Sequence, residues 1–231
     1  GQSIQSAIQV AQAGDRVLVQ PGTYAEAIDF LGLAIEVIGL GGAAATTIDA
    51  AGLNTSTVTF QSGEPATAIL KGFTITGGSG RPAPGNGFGG GGVFASNAST
   101  PTLRACRIIG NSLSQTGRGA GLLAVWLAGG VARITLEDCV IANNQGRGAE
   151  GSFTMRRCTI QGNTDGGVFG SQAIEITDCL FANNTTTGSG AGFQHDFFVS
   201  PLTLERCVFI GNHAGAYGGG APLQWSFFAG A

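Results

Sequence analysis

Cysteine is the side chain here best suited to metal or redox chemistry, and all five copies fall in one slot of a repeated pattern, Leu-x-x-Cys-x-Ile-x-x-Asn. The copies are Leu103, Cys106, Ile108, Asn111; Leu136, Cys139, Ile141, Asn144; Met155, Cys158, Ile160, Asn163; Ile176, Cys179, Phe181, Asn184; and Leu204, Cys207, Phe209, Asn212. Successive cysteines are 33, 19, 21 and 28 residues apart. These separations match no zinc-ligand spacing, and an odd number of thiols cannot all pair. A thiol that recurs in one slot meets one repeated environment and packs there as a small hydrophobe. The expectation is a file of free, buried thiols, with no disulfide, no metal and no cofactor.

Other residues could carry chemistry. Gln194-His195-Asp196-Phe197-Phe198 is the most suggestive polar pair, since a neutral histidine beside a carboxylate is a general base. Neighbours on a strand point to opposite faces, however, so the two would not form a dyad, and the plain reading is a surface loop histidine. Trp126 and Trp225 have rings that stack on sugars, although the plain reading of Trp126 is an apolar insertion packed against the body of the protein. Tyr24, Asp29, Arg81, Arg118, His195 and Asp196 are the stock from which an active site would be drawn, and nothing in their spacing brings three together. No catalytic residue is therefore assigned, and Trp126, His195, Asp196 and Arg81 stand as binding candidates.

The charged doublets before each cysteine invite an acid–base reading. Their second members run Ala105, Asp138, Arg157, Asp178, Arg206. Alternating sign on successive repeats fits an ion-pair ladder that fixes register, each exposed pair contributing about 0.5 kcal/mol.

The spacing dictates the elements that must position these residues. Repeats of 19 and 21 residues are too short for a strand plus a crossover helix, which excludes doubly wound and barrel α/β folds. They suit three short strands and three turns, stacked with one coil about 4.8 Å above the next. A degenerate copy, Leu70, Phe73, Ile75 and Gly78, lies upstream, and a second signal, Gly91-Gly92-Val93-Phe94 and Gly166-Gly167-Val168-Phe169, marks another corner and strand. The asparagine slot falls at a turn, where Asn tolerates left-handed backbone and stacked amides bond along the stack. This ladder accounts for Asn184 without the glycosylation that Asn184-Thr185-Thr186 would permit. The longer spacings are a basic coil plus insertions: 77–92, part of 112–132, and 185–200. Residues 3–13 read as a helix, with Ser3 as N-cap, Gly14 as its stop and Ile4, Ala7, Ile8 and Ala11 on one face, covering the first open edge of the stack. The alternating Leu223, Trp225, Phe227 and Phe228 suggest a bare apolar end open to end-to-end self-association.

Composition narrows the partners. With 11% charged residues, a net charge of −3 and no basic stripe, nucleic acid is not an expected partner. No run of eighteen apolar residues occurs, so no membrane-inserting helix is expected. The 41 glycines lack a Gly-X-Y period, which excludes collagen.

Ser3-Ile4-Gln5-Ser6-Ala7-Ile8, Gly14-Asp15-Arg16-Val17, Pro21-Gly22-Thr23-Tyr24 and Gly72-Phe73-Thr74-Ile75 resemble the start of pectin-lyase-like parallel β-helix proteins. The Gly-Gly-Val-Phe segments, with Phe181-x-x-Asn184 and Phe209-x-x-Asn212, are similar to the repeats of polymorphic outer-membrane adhesins. The resemblance implies an all-β, single-stranded right-handed parallel β-helix of about eight rungs, one domain over 1–231 with its helical cap at 3–13. The paired aspartates, Gly-His-Gly and calcium-binding nonapeptide of this fold's enzymes and calcium binders do not occur. The expectation is an extracellular or cell-surface scaffold, adhesin-like, binding polysaccharide or surface protein through side loops. A polysaccharide lyase or hydrolase working in a groove along the rod, and a purely structural spacer, are the alternatives.

Overall fold

The computed structural model describes residues 3–83, 87–127, 129–195, 201–216 and 219. Among these residues helix α1 (Ile4–Val10) is followed by strands alone. Among the described residues each coil but the last supplies one strand to each of three faces, the last supplies one to each of two, and pairing between successive coils is parallel.

The first face runs from Arg16–Val19 through Glu36–Gly39, Ile69–Lys71, Thr102–Arg104 and Ile134–Glu137 to the second halves of two long strands, ending at Leu202–Glu205. The second face is an eight-stranded sheet from Gly22–Tyr24 to Val208–Ile210, which sets eight coils. The third face stacks Ile28–Asp29, Val58–Phe60, Val93–Ala95, Leu122–Ala124, the first halves of the long strands, and Phe193–His195. The long strands Ala149–Arg156 and Val168–Thr177 run around the corner between the third and first faces.

Like residues stack on like because the interior has the same width at every level. Leu70, Leu103, Leu136, Met155 and Ile176 form one buried column, and Ile48, Ile75, Ile108, Ile141, Ile160 and Phe181 form another. Cys106, Cys139, Cys158 and Cys179 are buried and free, and Cys207 is free and half-buried. Their thiols donate to carbonyls, as Cys139 does to Glu137 O (3.3 Å) and Leu103 O (3.5 Å). The expected thiol file is therefore present, without bridges.

The asparagine ladder is continuous. Nδ2 of Asn111, Asn144, Asn163 and Asn184 donates to Oδ1 of the next asparagine at 3.1, 3.0, 2.9 and 2.9 Å, and each backbone N–H donates to the same oxygen. Gly78 N continues it above, donating to Asn111 Oδ1 at 3.0 Å. The expected left-handed backbone falls one residue earlier, on Gly110, Asn143, Gly162, Asn183 and Gly211. The ladder residue itself must aim its side chain inward, so its neighbour makes the bend. A second left-handed file was not foreseen: Gly72, Ala105, Asp138, Arg157, Asp178 and Arg206 have φ between 48° and 77° and turn the chain from the first face to the second. Their N–H groups donate to the following coil in a ladder of their own, for example Asp138 N to Arg156 O at 3.0 Å.

The cap is shorter than the span 3–13. Ser3 Oγ accepts from Ser6 N (3.0 Å) as predicted, but the helix closes at Val10, because the Asp15 carboxylate takes Gln12 N (2.8 Å) and draws the chain into the first strand. Ile4 and Ile8 are buried against the first coil, and the Glu26 carboxylate accepts Ile4 N and Gln5 N, satisfying two open helix donors. Among the described residues no helix is long and apolar enough to cross a membrane. The apolar end expected at Leu223 to Phe228, with Trp225, lies outside the described residues.

Candidate functional site

The insertions flank the outer side of the third face. The first supplies strands Arg81–Ala83 and Gly87–Gly89, and the next coil supplies Gly117–Arg118, together a three-stranded sheet at the border of the second and third faces. The stretch 112–132, expected as one insertion, holds two, because the third-face strand Leu122–Ala124 divides it. Its second part is a hairpin, with Trp126 opposite Val131 and Leu127 opposite Gly130, at the border with the first face.

The small sheet is pressed against the wall. Gly89 sits where a Cβ would overlap Leu123 Cδ2, a close approach that only glycine permits. Phe94, Leu123 and Val125 form a second apolar cluster outside the main core, with Leu127 packed on it. Arg81 lies over the Phe94 ring at 5.2 Å, and Arg147 over the Phe169 ring at 4.8 Å. Between the rings, Glu150 points outward from the wall yet has a side chain only 3% exposed. Arg147 Nη1 meets its Oε2 at 2.7 Å and Arg118 Nε its Oε1 at 3.3 Å. Both carboxylate oxygens are thus held by guanidinium groups, so Glu150 clasps the insertion to the wall.

Trp126 is 64% exposed, which overturns its reading as a packed residue. The hairpin turns its neighbours Val125 and Leu127 to the apolar cluster and leaves the indole in solvent. His195 is not a surface loop residue either. It is 5% exposed, pairs with Gly170 in the third face and brings its Nε2 within 3.2 Å of Gln172 O. It occupies the inward file of Ala95, Ala124, Gly151 and Gly170, where the missing Cβ of Gly170 makes room for its ring. Asp196 lies outside the described residues. Arg81 and Arg118 do converge on the third face, whereas Tyr24 and Asp29 belong to the first coil. The Tyr24 hydroxyl donates to Gln20 O at 2.9 Å, and Asp29 is bound by Gln61 at 2.7 Å. Glu150 and Arg147 were missed, because nothing local marks them as neighbours of Arg118.

The first face carries the ion pairs and a shallow depression of about 320 Å³. Arg133, Glu175, Thr177, Thr203 and Glu205 rim it, with Ala173, Ile174 and Pro201. Arg156 Nη2 meets Glu175 Oε1 at 3.0 Å. At its border with the second face, Arg157 binds Asp138 through two bonds of 2.7 and 2.9 Å, and Arg206 binds Asp178 through two of 2.6 and 2.9 Å. The register ladder is therefore made of the expected residues. The hydrogen bonds from Arg157 hold the Asp138 carboxyl below its ordinary range, and those from Arg206 do the same for Asp178. Among the described residues no three histidine, cysteine, aspartate or glutamate side chains are grouped to hold a metal ion.

Residues 120–224 match a family model described as "Right handed beta helix region". The comparison with curated proteins gave no match. Among solved structures the chain is similar to a pectin methylesterase mutant in complex with a hexasaccharide, at 14% identity and a TM-score of 0.49, with 87% of this chain and 63% of that one covered. The chain therefore spans less than two thirds of that protein's length. Over its stacked coils this chain is a right-handed parallel β-helix.

Proposed function

We propose that the chain is an extracellular or cell-surface scaffold, adhesin-like, that binds glycans or surface proteins through the insertions around its third face, without a cofactor. The observation that carries this reading is Trp126, an indole 64% exposed on a hairpin whose flanking residues are anchored in an apolar cluster. A ring held in water by fixed neighbours is a ready stacking platform for a sugar face, because its ordering cost is met before the ligand arrives. On the same face the Glu150 carboxylate is already bound by Arg118 and Arg147, which suits recognition better than proton transfer.

A glycan array with wild type and Trp126→Ala tests it, with product release from the bound polymers measured on the same preparation. Binding lost in the variant, with no product released, is the expected result. Full binding by Trp126→Ala would sink the role of the hairpin. Release of reducing ends or unsaturated sugars would favour the second reading, a polysaccharide lyase or hydrolase working in the first-face depression. Glu175 and Glu205 on its rim are the observation that favours this reading, and Glu175→Gln would then abolish release.

A further inference from the structure

The third face carries a charge imbalance that its structural role does not need. Arg81, Arg118 and Arg147 come from three consecutive coils and lean onto one wall. In the small sheet, Arg81 and Arg118 both lie opposite Gly89, one on each side, so their side chains leave the same surface. Gly89 faces the wall at Leu123, which places both arginines over the wall as well. Arg118 and Arg147 then share Glu150.

Among the described residues three guanidinium groups thus lie on this wall, and two of them, Arg118 and Arg147, share the one carboxylate of Glu150 while Arg81 lies over Phe94. Asp165 stands at the margin, its carboxylate accepting from Thr186 Oγ1 at 3.1 Å and its carbonyl from Arg147 Nε at 3.4 Å. The described neighbours of the row on the wall are Phe94, Leu123 and Phe169, which carry no charge. A chain with a net charge of −3 and eleven basic residues has gathered three of them here. The row is also reachable, since the Arg118 side chain is 50% exposed and that of Arg147 25%. A fold whose coils repeat every ~4.8 Å presents such cations as a line along the rod. Guanidinium forks recognise planar or tetrahedral oxyanions.

We propose that Arg81, Arg118 and Arg147 form an oxyanion-binding row on the third face, which takes the sulfate or carboxylate groups of an acidic glycan lying along the rod. The row rests on the reading of this face as a recognition surface, and it adds the charge of the ligand.

The test is binding of dextran sulfate, carboxymethyl dextran and neutral dextran of equal length, at two salt concentrations, to wild type, Arg81→Gln and Arg107→Gln. Arg107 is exposed on the second face and serves as the control. Arg81→Gln removes a cation without stranding Glu150. Arg118→Gln combined with Glu150→Gln tests the second position without leaving a buried charge. The expected result is binding of a charged dextran that weakens with salt, falls about 3- to 10-fold in each row variant, and is unchanged in Arg107→Gln. The sulfate and carboxymethyl arms tell which oxyanion is preferred. An equal loss in Arg107→Gln would reduce the effect to net charge and overturn the row, as would equal binding of neutral dextran. If Trp126-dependent binding is seen on the array while neither charged dextran binds, the recognition surface survives and the row does not.

Discussion

Gly148 and Asn163 compete for the same space: a Cβ on Gly148 would lie 2.8 Å from Asn163 Nδ2 and 2.6 Å from Gly167 O. The relationship repeats along the rod, with Gly92 against Asn111, Gly121 against Asn144 and Gly167 against Asn184. The glycine corner and the asparagine ladder are one device, since the amide fills the volume a side chain would take. Gly148→Ala should therefore destabilise by about 1 to 3 kcal/mol through overpacking. Gly52→Ala, where φ is 79° but nothing lies within 4 Å, should cost only the backbone strain, about 1 kcal/mol. Urea denaturation of both variants checks the difference, and equal midpoints would contradict it.

Removing an amide from the middle of the ladder should cost more than removing one at its end. Asn163→Ala strands the backbone N–H and Nδ2 of Asn144 in a buried site and should cost about 2 to 4 kcal/mol. Asn212→Ala, at a half-buried position, should cost less than half of that. Chemical denaturation with both variants measures the gradient.

The thiol file should be silent to reagents in the folded state. Hydrogen bonds with Cys106 and Cys158, followed by burial, push Cys139 well above the ordinary thiol range, and burial raises Cys207. Cys158, which receives hydrogen bonds from Cys139 and Cys179, is held lower, but at 2% exposure no reagent reaches it. Titration with a chromogenic disulfide should modify Cys207 first, and the other four thiols only at the rate of unfolding.

Acid should weaken the ion-pair ladder in a defined window. The Asp138 carboxyl is depressed on folding, so its pair stabilises above the unfolded value of about 3.9, and that contribution disappears as the pH falls through the lower folded value. The pair is exposed and screened, so the effect is under about 1 kcal/mol at low salt. Asp138→Asn should therefore lose less stability than wild type as the pH falls below about 4, and high salt should erase the difference. Thermal melts across this range provide the check.

Much of the rod was legible in the sequence because its files are periodic. The cysteine slot, the leucine slot and the asparagine slot each recur in register, so one copy predicts the next. The left-handed file at Asp138, Arg157 and Asp178 was written there as well, in Gly72 of the degenerate copy, which holds the same slot with the residue that bend favours. His195 was misread because its distance from the asparagine slot suggested an insertion. Gly192-Phe193 ahead of it already marked the third-face strand, in which the third residue points inward. The clasp of Arg118, Glu150 and Arg147 was not legible. It joins residues of different coils across an insertion, where no periodic count carries over.

The uninterrupted coil that begins after Cys139 has a consequence for how such rods change length. Excising residues 140–158 would splice Cys139 onto Thr159 and bring Asn111 opposite Asn163, an amide that already accepts the same pair of donors from Asn144. At the asparagine ladder the seam would repeat the one it replaced, while in the ion-pair ladder the loss of Arg157 would set Asp138 against Asp178. Growth and shrinkage by whole turns, whatever their length, are therefore open to the asparagine ladder, while a cut that does not rejoin the same slot of two coils would put every later side chain out of step with the file it belongs to.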